Sequence, residues 1–581
     1  MKAVLTLFLA LHYMSASAAE QERPAGIEGA VSLTREVPSK LTVETNKITI
    51  DYGKVNFSRL TISPNLENVG NTIIVKLRES SDPDPLPSTG PEKIGVRYFE
   101  QSITLRKGLQ ALELSPVDKR LMPASVGAVM PFRYVDILGW KGEFSEQFLN
   151  VESARSSKYQ KVGFSYFSGS QTAEELNRII ELANHTIEAT SFGGVFVDGD
   201  RERLPYEADA YINMLGWYAN VNDVTVPRRT FEFLVDHPSW PTEWQTHMIF
   251  MAWADYSQTG DKKFLRKHYD WLKKVSLSGA VSENGMVDIT RISDKLKKEL
   301  KVTYPLSDIV DWPPNQRDGH EMLPNNTVTN AFIYKGFILM AEIARVLGKE
   351  ADRESFMRSA GRLKTAMDMK VKGANGLYVD GVGSTHTSAH SLFIPLAFGM
   401  VNTQERDSVV AGLTNKVEAY GGGFPCSVFT AQYLLEALFE SGQDELALSL
   451  ILNKTQRGWM NMLDKYDATM THEAWDVSFK DNEDWTHPWG AAPANIIPRF
   501  ILGIKSVSAG WREWEIKPSS VLKFSAETTV PTPQGVIKVT YDYPGRMIKF
   551  NVPKGTMATV HSGQSARQYS AGEHQVEWHV L

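Results

Sequence analysis

Three textures of hydrophobic and polar positions follow one another along the chain. From about Leu41 to Leu114, β-branched residues alternate or cluster between Gly, Pro and Asn breaks, as in KITIDYG, RLTISPN and NTIIVKLRES. That pattern predicts an antiparallel β-domain. Within it, SSDPDPLPSTGPEK at Ser80–Lys93 reads as a Pro/Ser-rich surface loop. From about Gln171 the apolar period lengthens. Leu176, Ile179, Ile180, Ala183 and Ile187 mark one helical face, with Thr172 and Glu175 as a capping box at its start. Ala208, Ile212, Leu215 and Ala219 mark the next helix, with Pro205 near its beginning. Helix–Gly–helix units follow, turning at Gly260, Gly348 and Gly442, with helices expected over Asp261–Val275 and about Ala351–Met367. Roughly a dozen helices are expected before residue 505, joined alternately by short turns and by long loops rich in Trp and Pro. Past Ser506, WREWEIKP, GVIKVTYDY and RMIKFNVP return to strand alternation. The expected order is a β-sandwich over 19–155, a helical domain over 156–505 and a second β-sandwich over 506–581.

A chain of 581 residues exceeds one core, and several domains are consistent with that length. The net charge of −6 argues against nucleic acid or an anionic membrane as partner, because both require a basic surface. Lys2, the apolar run Ala3–Met14 and the small residues Ala16-Ser17-Ala18 predict a signal peptide over residues 1–18. No later apolar run approaches the roughly 20 residues of a membrane span. Cys426 is the single cysteine, so no internal disulfide can form. Export without disulfides fits a bacterial periplasm or the extracellular space. Cys426 itself, in GGGFPCSVFT, is expected to be a small buried residue, and Gly421–Gly423 a loop bend.

The candidate chemistry is concentrated in two segments. In VFVDGDRERLPYEAD, the carboxylates Asp198, Asp200, Glu202, Glu207 and Asp209 outnumber Arg201 and Arg203. Crowded carboxylates raise one another's pKa, and a carboxyl kept protonated near neutral pH can serve as a general acid. The second segment is THEAWD, Thr471–Asp476, followed by DWTHPWG, Asp484–Gly490. Acids set among Trp and His in two distant segments suggest a carbohydrate site with one carboxylate on each side of a sugar. A glycosidase needs such a pair, one group protonating the leaving oxygen while the other activates water or attacks the anomeric carbon. Glu202 and Glu207 are candidate acids, Glu473 the candidate base, and Asp198 and Asp209 could hold sugar hydroxyls. His386 and His390 are spaced for one helical face, but no third ligand stands near, so no metal and no cofactor is expected.

These segments resemble the bacterial α-L-rhamnosidases of glycoside hydrolase family seventy-eight. That family carries a loop of the form D-C-P-x-R-[DE]-x-x-G-W-x-G-D, and DGDRERLPYEAD is similar to it. Anchored on the Arg, Asp198 matches the leading Asp, Glu202 the general acid, Tyr206 the Trp and Asp209 the closing Asp. Thr471–Trp475 resembles the family's second signature, which implies Glu473 as general base. DIVDWPP is similar to the family's G-D-W loop, which implies Asp311 and Trp312 at the sugar. SWPTEWQ brings Trp240, Glu243 and Trp244, and DWTHPWGAAPA brings His487 as a substrate-binding His. Arg201, Glu207 and Trp475 complete the expected contacts. The resemblance implies a central (α/α)₆ barrel flanked by antiparallel β-sandwich domains, and exo-hydrolysis with inversion by carboxyls roughly 6.5–9.5 Å apart. Three departures stand out: the loop is one residue shorter before its Arg, Gly-Asp replaces Cys-Pro, and Tyr206 replaces Trp. They keep Glu207 open as the acid. A helical-barrel glycosidase acting on a uronic residue, drawing on Arg201, Arg203 or Arg317, and a non-catalytic glycan-binding protein are the competing expectations. The expected partner is a rhamnose-containing carbohydrate, with no obligate protein partner.

Overall fold

The computed structural model describes residues 29–81, 98–112, 114 and 126–579. The segment expected to be a signal peptide and most of the Ser80–Lys93 loop lie outside the described residues. The chain divides into two compact units: Met1–Tyr159 with Glu188–Pro205 and Asn482–His487, and Gln160–Ile187 with Tyr206–Asp481 and Pro488–Leu581.

The first unit is built on one eight-stranded antiparallel sheet. Its strands are β1 (Val31–Arg35), β2 (Lys40–Val43), β3 (Lys47–Ile62), β4 (Thr72–Arg78), β5 (Tyr98–Thr104), β6 (Gln110–Ala111), β7 (Met130–Leu138) and β8 (Leu149–Ser156). They run β1-β8-β3-β7-β4-β5, with β2 and β6 also on β3. Period-two alternation turns Ile48, Ile50, Leu60 and Ile62 of β3 inward, where they meet Ile73, Val75 and Leu77 of β4 and Val135 and Ile137 of β7. A register shift between Asp51 and Asn56 bends β3. Gly53 lies there at φ +82°, a conformation that side chains other than glycine rarely adopt.

The second unit opens with β9 (Phe164–Ser168) and then turns helical. Six inner helices close a ring: α2 (Glu207–Asn220), α4 (His247–Thr259), α6 (Thr327–Val346), α8 (Ala389–Ala397), α10 (Ala431–Glu440) and α12 (Pro493–Ile496). Each packs on the next, and α12 returns to α2. Outer helices alternate with them: α1 (Gln171–Thr190), α3 (Thr225–Asp236), α5 (Lys262–Val275), α7 (Glu350–Lys370), α9 (Thr403–Ala419) and α11 (Asp444–Ile451). This is an (α/α)₆ barrel. Gly260 and Gly442 follow α4 and α10 at φ +71° and +73°, which lets the chain reverse into the outer helix. Gly216 of α2 faces Ile187 of α1 and Ala494 of α12, and a Cβ there would meet Ile187 at 3.0 Å, so three helices close up on that position.

One local expectation is corrected. Ser170, not Thr172, caps α1, its hydroxyl accepting from the Ala173 N–H at 3.1 Å. Thr172 lies inside the helix, because the hydroxyl one step before Gln171 reaches the exposed amides first.

Beyond the barrel, β10 (Ile504–Ser506), β11 (Glu513–Ile516), β15 (Met557–Ser562) and β16 (Ser565–Tyr569) form one sheet, within which β11 and β15 run parallel. The other sheet joins β12 (Ser525–Thr532), β13 (Gly535–Asp542), β14 (Met547–Val552) and β17 (Gly572–Glu577) with β9 from ahead of the barrel.

Candidate active site

The first acid loop lies in the first unit. Asp198 closes it: the Asp198 N–H donates to the Leu204 carbonyl at 2.9 Å, and its Oδ1 accepts from the Leu204 N–H at 3.0 Å. Arg203, at φ +52°, is buried. It donates from Nε to Asp200 at 2.8 Å and from Nη2 to the Val129 carbonyl at 2.8 Å, and stands 5.4 Å from the Phe57 ring centroid. A buried guanidinium so engaged fixes the loop. The segment Asn482–His487 holds the loop from the other side. The Arg201 N–H donates to Asp484 at 2.8 Å, the Asp200 N–H to Thr486 at 3.0 Å, and the Arg201 guanidinium to the Asn482 carbonyl at 2.9 Å. Burial, with the Asp200 charge beside it, raises the Asp484 carboxyl. Gly199, at φ +143°, makes the approach possible, since a Cβ would stand 2.6 Å from Asp484. The loop thus presents Glu202, half-buried, with Oε1 accepting from Arg201 Nε at 2.8 Å. His487 is buried at the end of the same segment.

In the second unit, the chain entering the inner helices gathers the remaining candidates. Glu207 begins α2 fully buried, with one carboxyl oxygen accepting from the Ser239 N–H at 2.9 Å and the other from the Ser239 hydroxyl. Burial pushes this carboxyl up to about 7, against the lowering effect of Ser239. Asp209 is buried in the same first turn. Ahead of α4, Glu243 is buried and accepts on Oε1 from the Ile309 and Val310 N–H groups at 3.0 and 2.6 Å. Burial raises Glu243, and burial plus the Glu243 charge raises Asp308 well above the carboxylate range. Two buried acids whose charges act on one another favour holding a proton. Trp244 is buried edge-on to Tyr206 and Phe429, at 6.1 and 5.8 Å between centroids.

Asp311 is a hub. Its carboxylate accepts from His390 Nε2 at 2.6 Å, from the Ser427 N–H at 2.8 Å, from Thr430 at 2.7 Å, from the Ser427 hydroxyl, and from the Trp312 N–H at 2.9 Å. Asp311, expected at the sugar, ties three chain segments together and orients the half-buried Trp312, over which the Arg317 guanidinium lies at 6.0 Å.

Glu473 is buried, with Oε2 3.1 Å from Lys480 Nζ, and its backbone carbonyl accepts from the Trp489 indole at 3.0 Å. Trp475 is another of the residues expected at the sugar. It is fully buried, stacks on Phe424 at 4.7 Å, meets Trp459 edge-on and gives its indole N–H to the Cys426 carbonyl at 2.8 Å. It therefore supports the loop from beneath. His472 is neutral, because burial lowers it to about 3. Asp476 is held low despite burial by Lys465, the Ser478 N–H, Asn461 and Tyr466. Cys426 is buried, which pushes its thiol up and leaves it unreactive.

His386 and His390 do not share a face. Ser388 caps α8, so His386 precedes the helix and pairs with Asp380 at 2.6 Å while His390 goes to Asp311. No cluster of metal-binding side chains occurs among the described residues. Among them, too, no helix is long and apolar enough to cross a membrane. Sequence reasoning missed Lys480 as the partner of Glu473, Ser239 as that of Glu207, and the electrostatic effect of Glu243 on Asp308. Lys480 follows Glu473 along a segment that no helix or strand period marks, and the other partners lie too far off in sequence to leave a local pattern.

The family described as bacterial alpha-L-rhamnosidase 6 hairpin glycosidase domain matches residues 164–501, and the bacterial alpha-L-rhamnosidase C-terminal domain matches 503–577. An alpha-L-rhamnosidase of Formosa agariphila is 21% identical over 373 residues, covering 61% of this chain and 38% of that protein. The chain therefore spans less than half the length of that relative. Among solved structures, alpha-L-rhamnosidases from Dictyoglumus thermophilum and Aspergillus terreus superpose with TM-scores of 0.72 and 0.76, both at 17% identity over 94% of this chain and 63% of theirs. One from Streptomyces avermitilis, complexed with L-rhamnose, gives a TM-score of 0.74 at 17% identity, covering 94% of this chain and 53% of that one. At that identity the likeness shows the fold, a helical barrel with β-domains before and after it in sequence.

Proposed function

Because the chain belongs to the bacterial α-L-rhamnosidase six-hairpin glycosidase family, we propose that it hydrolyses terminal α-L-rhamnosyl residues from a glycan or glycoside, as an exported, exo-acting, inverting enzyme. The observation that carries this reading is Glu473: a buried carboxylate in the barrel, ion-paired with Lys480 on a segment resembling the family's base signature. An ion pair presents it in the ionised form that a base requires.

In the proposed mechanism, Glu202 gives its proton to the glycosidic oxygen as the bond to the anomeric carbon breaks. Glu473 takes a proton from the water that attacks that carbon from the opposite face, releasing the β-anomer of rhamnose. Arg201 Nε donates to Oε1 of Glu202, and in the proposed acid that oxygen stays the acceptor while Oε2 carries the proton. Glu207 is the weaker candidate for the acid, because Ser239 engages both of its carboxyl oxygens. Trp244, Trp312, Asp209 and His487 are proposed to contact the sugar, and Asp198 to shape the acid loop. The rhamnose held by the Streptomyces avermitilis enzyme fits a carbohydrate ligand of this class.

The test is nuclear magnetic resonance of the first product formed from an aryl α-L-rhamnopyranoside. Initial β-rhamnose supports the reading, whereas initial α-rhamnose overturns inversion. Activity only on uronosides would transfer the site to the competing sugar. Export is tested by sequencing the N-terminus of protein recovered from periplasm or medium, where processing after Ala18 is expected.

A further inference from the structure

A groove of about 370 Å³ runs between β9 and α1, wholly within the second unit. Its floor carries Phe164 and Tyr166, two residues apart on one face of the strand, 45% and 50% exposed. Their rings are nearly parallel, 10° between planes with centroids 6.5 Å apart. Phe167, pointing the other way, is buried edge-on against Phe524. Large aromatic faces left side by side in water mark an interaction surface more often than a fold requirement.

Three features select the occupant. First, the rim mixes donors and acceptors, since it is lined by Lys161, by Arg178, which pairs with Asp464 at 2.7 Å, and by Glu181, a combination suited to hydroxyls rather than to an anion or a purely apolar partner. Second, a peptide strand adding to the sheet edge is blocked at its centre. The side chain of Asn177 accepts from the Phe167 N–H at 2.8 Å and donates to its carbonyl at 2.8 Å, taking the place of a neighbouring strand. Third, the volume lies at the small end of the roughly 300–1,000 Å³ range of ligand sites, which accommodates a short oligosaccharide and excludes a helix.

We propose that the Phe164–Tyr166 groove is a second, non-catalytic binding site for an oligosaccharide, whose sugar rings lie on the two aromatic faces. The choice of a rhamnosyl chain as ligand rests on the proposed function. The groove is a docking point that would keep a polymer on the enzyme between cleavage events.

The experiment is calorimetric titration of the full chain with an α-linked rhamno-oligosaccharide methylated at its non-reducing end, so that it cannot be trimmed. Aryl α-L-rhamnoside hydrolysis is measured in parallel. The variant F164L/Y166L keeps apolar bulk at the sheet edge and removes both ring faces. Its affinity is expected to fall by roughly tenfold or more, with unchanged melting temperature and unchanged aryl hydrolysis. If the variant does not fold, Lys161→Ala on the exposed rim takes its place, and a several-fold weakening is expected. Equal affinity in wild type and variant, or no binding by a wild type that hydrolyses the aryl substrate, overturns the groove and leaves the function standing. Binding that depends on the two rings in a chain that hydrolyses nothing keeps the groove and removes the proposed function.

Discussion

At the scale of single residues, chemistry and support are divided among side chains of the same type. Glu202 and Glu473 are offered as the reacting pair, while Glu207, Asp311 and Asp198 are consumed by internal donors. Glu202→Gln is expected to lower kcat by about 10²–10⁴-fold on substrates with poor leaving groups, with Glu207→Gln close to wild type in a parallel assay. Glu207 instead shows in stability. Its carboxyl sits at about 7 in the fold against an ordinary value of 4.5, so the fold binds the proton more tightly than the open chain does. The contribution is complete below 4.5 and is lost as pH rises to about 7. The melting temperature of Glu207→Gln, relative to wild type, should therefore climb between pH 4.5 and 7.5, as read by thermal denaturation across buffers (about pH 4.5 to 7.5). The buried His247 and His472, both lowered to about 3, act in the opposite sense and cancel in this difference. The two acid segments were legible from residue type and crowding. The inward turn of Asp311 and the burial of Trp475 were not, because their partners Ser427, Thr430 and Cys426 lie far off in sequence and supply no local signal.

At the scale of elements, the chain entering the inner helices carries the buried acids Glu207, Glu243 and Asp311, and a few buried polar hubs set those entries. Asp311 is the clearest, joining the loop before α6 to α8 and to the entry of α10 through His390, Ser427 and Thr430. Asp311→Ala leaves several buried donors without an acceptor and should cost about 3 kcal/mol or more in a denaturant titration. Loss of that size should appear together with loss of activity, because Trp312 shares the loop. In the acid loop, Gly199→Ala combines a left-hand φ with a 2.6 Å clash against Asp484, and a cost of about 1–3 kcal/mol is expected. The helix–Gly–helix rhythm was readable because a left-handed glycine after a helix has a direct sequence cost and signal. The cap of α1 was misread by two positions, since several hydroxyl residues in a row leave the choice to geometry.

At the scale of the molecule, strand β9 precedes the barrel yet completes the sheet that follows it, pairing Phe164–Ser168 with Ser525–Thr529. A five-residue strand whose partner among the described residues comes after the whole helical domain has no marker in the sequence, and the β-texture of the far side alone was visible. Barrel and C-terminal sheets thus belong to one compact unit. Truncation after Leu502 strips β9 of β12 and uncovers Phe167, and the product is expected to be insoluble or without a cooperative melt. A soluble, cooperatively melting truncation would show the two parts to be independent.

The central claim is that Glu473 is the general base of a rhamnosidase. Hydrolysis of an aryl α-L-rhamnopyranoside by wild type and by Glu473→Gln tests it most directly. The account predicts release of rhamnose by wild type and a kcat lower by about 10²–10⁴-fold in a variant with near-native melting temperature. A folded variant as active as wild type, or a wild type that binds rhamnosides without cleaving them, would contradict it.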